Sequence, residues 1–247
     1  TAMKQLTLSK PFTLTGKGLH TGAMVEATVM PAPEGHGYKF QRTDLEGEPV
    51  IDALAENVVS TQRGTVIARG EISVSTIEHL MAALYASGVD NALIRVNAPE
   101  VPILDGSSKL WLEAINATGL TEQKAEKDFY VVKHKIELAD EATGSKILIL
   151  PDDEFSVEVK VNFESPVLSN QYASMEHINE FETEIAGART FVFVREIEPL
   201  VRAGYIKGGD LDNAIVIYDS PLSQESLDKI ADTMGVEHHT VDGFGYI

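Results

Sequence analysis

Glu78 and His79 set a carboxylate and an imidazole side by side at the start of an apolar stretch. Together they could do metal chemistry: His79 could hold the ion while Glu78 moves a proton on the water it holds. The same residues also fit a plainer role. Ser75 and Glu78 have the spacing of a capping box, in which each side chain satisfies an orphan backbone N–H at a helix start. His79 would then be a surface histidine, and the residues alone leave both readings open.

The chain has seven histidines, so other spacings were weighed. His238 and Asp242 are four apart, which on a helix would put both on one face as a metal pair. Gly243, Gly245 and the β-branched Thr240-Val241 argue against a helix there. His20, flanked by Gly18 and Gly22, reads as a turn residue or a site residue. His36, His134 and His177 sit in polar or strand-edge contexts and read as solvated. Ala188-Arg189-Thr190 puts a hydroxyl beside a guanidinium at a strand start, a pattern that local hydrogen bonding explains. Gly208-Gly209 reads as a tight turn or as a loop that a ligand approaches.

The elements that must position these groups follow from periodicity. Ile77, Leu80, Met81 and Leu84 fall on one helical face, and Ser87-Gly88 supplies a C-terminal stop. Strands are predicted at residues 24–30, 38–42, 50–51 and 91–96, with a polar bend at 57–67 leading into another. A second helix is predicted at 109–118, with Trp111, Leu112 and Ile115 apolar. Residues 121–128 are charged and without apolar period, and they read as the boundary between residues 1–122 and 128–247. Beyond it, Ile136 to Leu138 and Lys146 to Leu150 flank a turn. Phe155, Val157, Val159, Val161 and Phe163 alternate strictly, which predicts one buried face. A short helix near 175–181, a helix at 196–203 closed by Gly204, a strand at 214–218 and an amphipathic helix at 222–234 complete the pattern. The order of residues 134–163 resembles that of residues 10–42, a weak internal repeat. The fold class is therefore α+β: two repeated layered sheet-and-helix units forming a sandwich. The second unit lacks an apolar helix to match 77–85 and reads as incomplete.

Composition bounds the function. A formal net charge of −18 argues against a nucleic-acid binder, which needs a basic footprint. There are no cysteines, so any metal must be held by His, Asp or Glu. No apolar run approaches the roughly 18–20 residues that a transmembrane helix requires. The first residues lack the pattern of a signal peptide, and a cytoplasmic address is expected.

Five segments, in order, resemble one family. They are Gly-Lys-Gly-Leu-His-Thr-Gly (16–22), Thr-Ile-Glu-His-Leu-Met-Ala-Ala-Leu (76–84), Val-Pro-Ile-Leu-Asp-Gly-Ser-Ser (101–108), Ala-Arg-Thr-Phe (188–191) and Gly-Gly-Asp-Leu-Asp-Asn-Ala-Ile-Val (208–216). The chain resembles the UDP-3-O-acyl-N-acetylglucosamine deacetylases, zinc amidases of lipid A biosynthesis. The resemblance implies zinc as cofactor, UDP-3-O-(3-hydroxyacyl)-N-acetylglucosamine as substrate, and hydrolysis of its N-acetyl group with release of acetate. It implies Glu78 as general base, His79 as a zinc ligand, Thr190 as the hydroxyl that steadies the oxyanion, and Phe191 as an aromatic wall. It also implies an apolar passage for the fatty acyl chain, at Ile197, Leu211, Ala214 and Val216, and a place for His20 near the site.

The sequence departs from the family in one respect. The family's other zinc ligands lie in a His-Lys-x-x-Asp helix after this region and its second catalytic histidine in a Gly-His motif further on, and neither motif occurs in residues 217–247. The expectation is a parent deacetylase of which this chain is a C-terminally truncated, inactive part. The rival expectations are a non-catalytic chain that binds nucleotide-sugar, acyl ligand or a partner, and a scaffold with no site.

Overall fold

A computed structural model describes residues 2–240 and 243–247. The first half builds around a five-stranded sheet. The strands of this half are β1 (Lys4–Leu8), β2 (Phe12–Lys17), β3 (Met24–Pro31), β4 (Tyr38–Arg42), β5 (Val50–Asp52), β6 (Val58–Ser60), β7 (Val66–Arg69), β8 (Ile72–Ser75) and β9 (Ala92–Val96), five of which make that sheet. The sheet order is β2-β3-β9-β4-β5, antiparallel except for the parallel pair β4–β9. β6-β7-β8 form a separate antiparallel sheet.

Two helices belong to the same half, α1 (Glu78–Ala86) and α2 (Lys109–Thr118). The α1 stripe behaves as its spacing predicts: Leu80, Ala83 and Leu84 are fully buried, in one core with Ala27, Val29, Phe40 and Ile94 of the sheet. Truncating Leu80 or Leu84 to Ala would cost about 2–5 kcal/mol. Gly88 takes φ of 81° and closes the helix as expected. α2 contributes Trp111, Leu112 and Ile115 to the same core.

The helix start differs from the capping-box expectation. α1 begins at Glu78, and Ser75 is the last residue of β8. Thr76 adopts φ of 60° between them, turning the chain so sharply that Ser75 cannot reach the helix N-terminus. Ser75 instead works at the backbone: its N–H donates to Pro99 and its carbonyl accepts from Val101. Glu78 is therefore free of capping duty.

Residues 121–126, expected as a charged boundary, lie in strand β10 (Leu120–Glu126), antiparallel to β1. The strand is charged because it lies at the surface on a two-stranded pair, so hydrophobic period did not announce it.

The second half is looser. β11 (Ile136–Asp140) and β12 (Ser145–Ile149) form one hairpin, β13 (Val157–Asn162) and β14 (Asn170–Met175) another. The face predicted to be buried on β13 is not. Phe155 touches Tyr85 and Phe163 touches Phe191, but Val157 and Val159 remain 38% and 47% exposed. Alternation tells which side of a strand is apolar, not whether anything covers it. The short helix expected near 175–181 falls later, as helical turns at Ile178–Glu180 and Phe181–Ile185.

A three-stranded sheet then carries β15 (Phe191–Phe193), parallel to β16 (Ile215–Tyr218), and β17 (Gly245–Tyr246), antiparallel to β16. Between them lie α3 (Val194–Arg202) and α4 (Gln224–Met234). Val194, Ile197, Ile206 and Tyr218 form a second apolar core, joined by Leu227, Ile230 and Met234 of α4. α4 is capped by Ser223, whose hydroxyl accepts from the Ser226 N–H at 3.1 Å, and ends at Gly235 in the left-handed region. The α+β class stands.

Candidate active site

The first turn of α1 carries the reactive pair. The Thr65 N–H donates to Glu78 Oε2 at 3.1 Å, which fixes the carboxylate and leaves Oε1 free. Oε1 lies 4.0 Å from His79 Nε2. The His79 side chain is 20% exposed, and burial pushes its imidazole below the usual histidine range, against the opposing pull of the Glu78 and Asp105 carboxylates. The neutral ring is the form that can ligate a metal.

Thr190 enters the same neighbourhood from the second half. Its N–H donates to the Gly106 carbonyl at 2.8 Å, and its carbonyl accepts from Ile215. The loop that receives it, residues 105–108, also reaches α1: the Ser108 hydroxyl donates to the His79 carbonyl at 2.8 Å. One loop therefore ties the backbones of His79 and Thr190. Arg189 staples it further, donating from Nε to the Asp105 carbonyl and from a terminal guanidinium nitrogen to the Leu211 carbonyl. The hydroxyl-guanidinium pair of the sequence is thus half structural. Gly106 sits at φ of 83° with the Asn213 carbonyl pressed against its Cα, so a Cβ would collide with that oxygen.

A second junction joins the halves at the turn of residues 16–22. The carboxylate of Glu100, 1% exposed, accepts from the His20 and Thr21 N–H groups and from the Thr21 hydroxyl. Gly208 then packs backbone to backbone on Gly18, and its N–H donates to the Leu19 carbonyl. Lys17 pairs with Asp210 across the same junction. His20 emerges with its ring edge-on to Tyr205, centroids 5.4 Å apart. The Gly208-Gly209 turn is therefore a backbone contact between halves.

A cavity of about 140 Å³ opens beside these junctions. Thr190, Phe191, Ile197, Leu211, Ala214 and Val216 all line it, so every expected passage residue falls on one wall or another. Phe191 packs edge-on against Phe163 and Phe193, at 5.3 and 5.7 Å between centroids. Arg195 lies 4.3 Å over the Phe193 ring and pairs with the buried Asp219. Burial opposes the charge on Asp219, but hydrogen bonds from Ser165 and Arg195 outweigh it and hold the carboxyl below the usual range. Arg63 reaches the cavity from the loop between β6 and β7 and pairs with Glu196 of α3 at 2.5 Å.

Several of these residues were not singled out from the sequence. Asp105 and Ser108 stand in the segment 101–108 that carries the resemblance, but their contacts, with Arg189 84 residues on and His79 29 residues back, are marked by no local pattern. Neither is that of Glu100 with His20, 80 residues away. Leu227, Ile230 and Met234 had a signal in the amphipathic period of α4, which pointed to an apolar surface without saying which.

The match with known proteins fits this geometry. The family model for UDP-3-O-acyl N-acetylglycosamine deacetylase (LpxC) matches residues 5–247. The chain belongs to that deacetylase family. It is 58% identical over 245 residues to the bifunctional enzyme LpxC/FabZ of Bacteroides thetaiotaomicron, covering 99% of this chain and 53% of that protein. It is 59% identical over 244 residues to the bifunctional enzyme LpxC/FabZ of Porphyromonas gingivalis, with the same coverage. A protein of Myxococcus xanthus named UDP-3-O-acyl-N-acetylglucosamine deacetylase is 41% identical over 244 residues, 98% of this chain and 76% of its own length. The chain spans about half the length of the bifunctional relatives it matches.

The donor set bears on the zinc that the family resemblance implies. His79 fits a ligand role: a neutral, partly buried imidazole beside a carboxylate held by only one oxygen. Next to it, the buried Thr76 hydroxyl has no hydrogen-bond partner, a polar group left over at this spot. Among the described residues, however, no three His, Asp or Glu side chains come together to hold a metal ion. His79 is one ligand where three are needed. Asp242, the candidate partner of His238, lies outside the described residues. His238 Nε2 itself lies 2.6 Å from Asp232 Oδ1, and that carboxylate raises its pKa. Among the described residues no helix is long and apolar enough to cross a membrane.

Proposed function

We propose that the protein to which this chain belongs hydrolyses the N-acetyl group of UDP-3-O-acyl-N-acetylglucosamine and releases acetate, a step of lipid A biosynthesis that depends on zinc. The observation that carries this reading is the single loop, residues 105–108, that ties the Glu78-His79 helix and Thr190 together beside an apolar cavity. Zinc, when bound, supplies Lewis-acid polarisation of the amide carbonyl and a lowered pKa for water.

The chain's own residues supply the rest. Glu78 Oε1, unclaimed by any backbone N–H, takes a proton from the attacking water and later delivers one to the departing amine. Its Oε2, fixed by Thr65, keeps the carboxylate oriented through both steps. The Thr190 hydroxyl donates to the oxygen on which negative charge develops. Phe191 is a substrate-facing wall, and Ile197, Leu211, Ala214 and Val216 take up the acyl chain. A cytoplasmic setting goes with a substrate charged and water-soluble at its uridine diphosphate end.

The architecture proposed is two repeated units, residues 1–122 and 128–247, with the site between them. The hairpin of β11 and β12, at the place of β2 and β3 in the first half, supports it, as do the uncovered valines of β13. His79 stands alone as a ligand among the described residues, so its partners are proposed to come from outside the region shared with the relatives. Residues 1–247 by themselves are then inactive. The same observation favours a second reading, in which this polypeptide binds nucleotide-sugar or acyl ligand without turnover, unaffected by a chelator.

The test uses the full-length protein and counts acetate released from the UDP-linked substrate. Glu78→Gln is expected to lose about 10²–10⁴-fold in turnover, the usual contribution of a positioned proton carrier. His79→Ala is expected to lose both activity and bound zinc. Normal turnover in either variant overturns the reading.

A further inference from the structure

The segment expected to line the passage ends at residue 216, yet the cavity has a wall beyond it. α4 turns Leu227, Ile230, Ala231 and Met234 inward, at the i, i+3, i+4, i+7 spacing of one helical face. Asp228 and Asp232 lie on the opposite side, with His238 beside them. Met234 is the last residue of the helix, because Gly235 takes the left-handed conformation immediately after it. From there its side chain spans to the Gly208-Gly209 turn: its terminal methyl lies 3.1 Å from where a Cβ on Gly209 would stand. The absence of a side chain at Gly209 is what lets the thioether reach the turn.

Part of the cavity wall is therefore a flexible, unbranched side chain resting on bare backbone. The cavity's polar groups are His20, Arg63, Thr190, Asp210, Glu237 and His239, while Met234 packs in one apolar cluster with Ile206, Leu227 and Ile230. A thioether can shift among rotamers to fit chains of slightly different length, but cannot withdraw past its own Cβ. We propose, on the deacetylase reading above, that α4 is the outer wall of the acyl passage and that Met234 is its end-stop, setting the length of acyl chain the protein accepts. Ala231, 7% exposed and one turn earlier, sets the width beside it.

The experiment measures kcat/KM of the full-length protein on UDP-3-O-acyl-N-acetylglucosamine homologues whose acyl chain grows one methylene at a time. Met234→Ala removes three heavy atoms and is expected to move the preferred chain longer by about two methylenes. The longer homologue should gain roughly fifteenfold over the chain the parent prefers, since each of the two buried methylenes is worth about fourfold. Ala231→Leu is expected to move the preference shorter, and thermal melting shows that each variant is folded. A length profile unchanged in folded, active Met234→Ala overturns the role of Met234 and leaves the deacetylase reading in place. Absence of acetate release from every homologue by the parent protein overturns that reading, and the end-stop with it.

Discussion

The Ser108 hydroxyl donates to the His79 carbonyl at 2.8 Å, joining the first turn of α1 to the start of α2. Two residues earlier, Gly106 accepts from Thr190, so the loop fixes a residue of each half. Ser108→Ala removes the first of these bonds and leaves a carbonyl without its partner. The expected cost is about 1 kcal/mol in denaturant unfolding. A tenfold or greater fall in kcat with little change in KM would show that the bond also positions His79, whereas a purely structural bond leaves kcat unchanged.

Gly106 tests the other side of the loop. Its φ of 83° and the Asn213 carbonyl against its Cα both exclude a side chain. Gly106→Ala is expected to destabilise by at least about 2 kcal/mol, from backbone strain and from the displacement of residues 190 and 213 together. Thermal unfolding should show it, and activity should fall even where the variant is folded.

Glu100 is buried with three hydrogen bonds to the turn that holds His20. Glu100→Ala leaves two N–H groups and a hydroxyl without their acceptor and is expected to cost about 2–4 kcal/mol. Glu100→Gln keeps an acceptor oxygen and should recover part of that loss. Chemical denaturation of the two variants side by side gives the comparison, and equal stability of all three proteins would remove Glu100 as the anchor.

Asp44 offers a pH test away from the site. Its two oxygens accept from Arg42 Nε at 2.8 Å and a terminal nitrogen at 2.7 Å, and Arg42, nearly buried, also donates to the Ser73 carbonyl. The guanidinium, by hydrogen bonds first, holds the Asp44 carboxyl below the usual carboxylate range. A depressed folded pKa means that the stabilisation is fully present above the unfolded value and is lost as pH falls through the folded one. Asp44→Asn should therefore be less stable than the parent protein at neutral pH by about 1–3 kcal/mol, with the gap closing below about pH 4. A gap that persists unchanged at low pH would assign the loss to packing.

What the sequence made legible was local. The α1 stripe, the Gly88 stop and the amphipathic period of α4 are each written within a few residues, and each is found where its pattern predicts. Phe191, Ile197, Leu211, Ala214 and Val216, named from the resemblance, also converge on one cavity. The failures have a common physical origin. Thr76 at positive φ breaks the Ser75–Glu78 box, and no residue type announces a left-handed threonine. β10 is a surface strand whose partner, β1, lies more than a hundred residues away, so its charge pattern resembles a linker. Val157 and Val159 alternate as a buried strand would, although their cover is not set by their own spacing. Asp105, Ser108 and Glu100 matter because of what the fold brings to them.

The junction between the halves has a kinetic consequence. Lys17 meets Asp210 across 193 residues, His20 meets Ile206 across 186, and Arg189 meets Asp105 across 84. Contacts so distant along the chain close large loops before they return any stabilisation, and folding slows as their share grows. The five-stranded sheet and its two helices use only residues before 120, although Met175, Phe181 and Ala186 complete their core, so on the ribosome most of that core can form while the cavity does not yet exist. The cavity, on this geometry, is formed in a separate and later event than the burial of most of the main core. A stopped-flow refolding trace should therefore show Trp111, in that core, reaching its native signal before the cavity can bind an apolar dye.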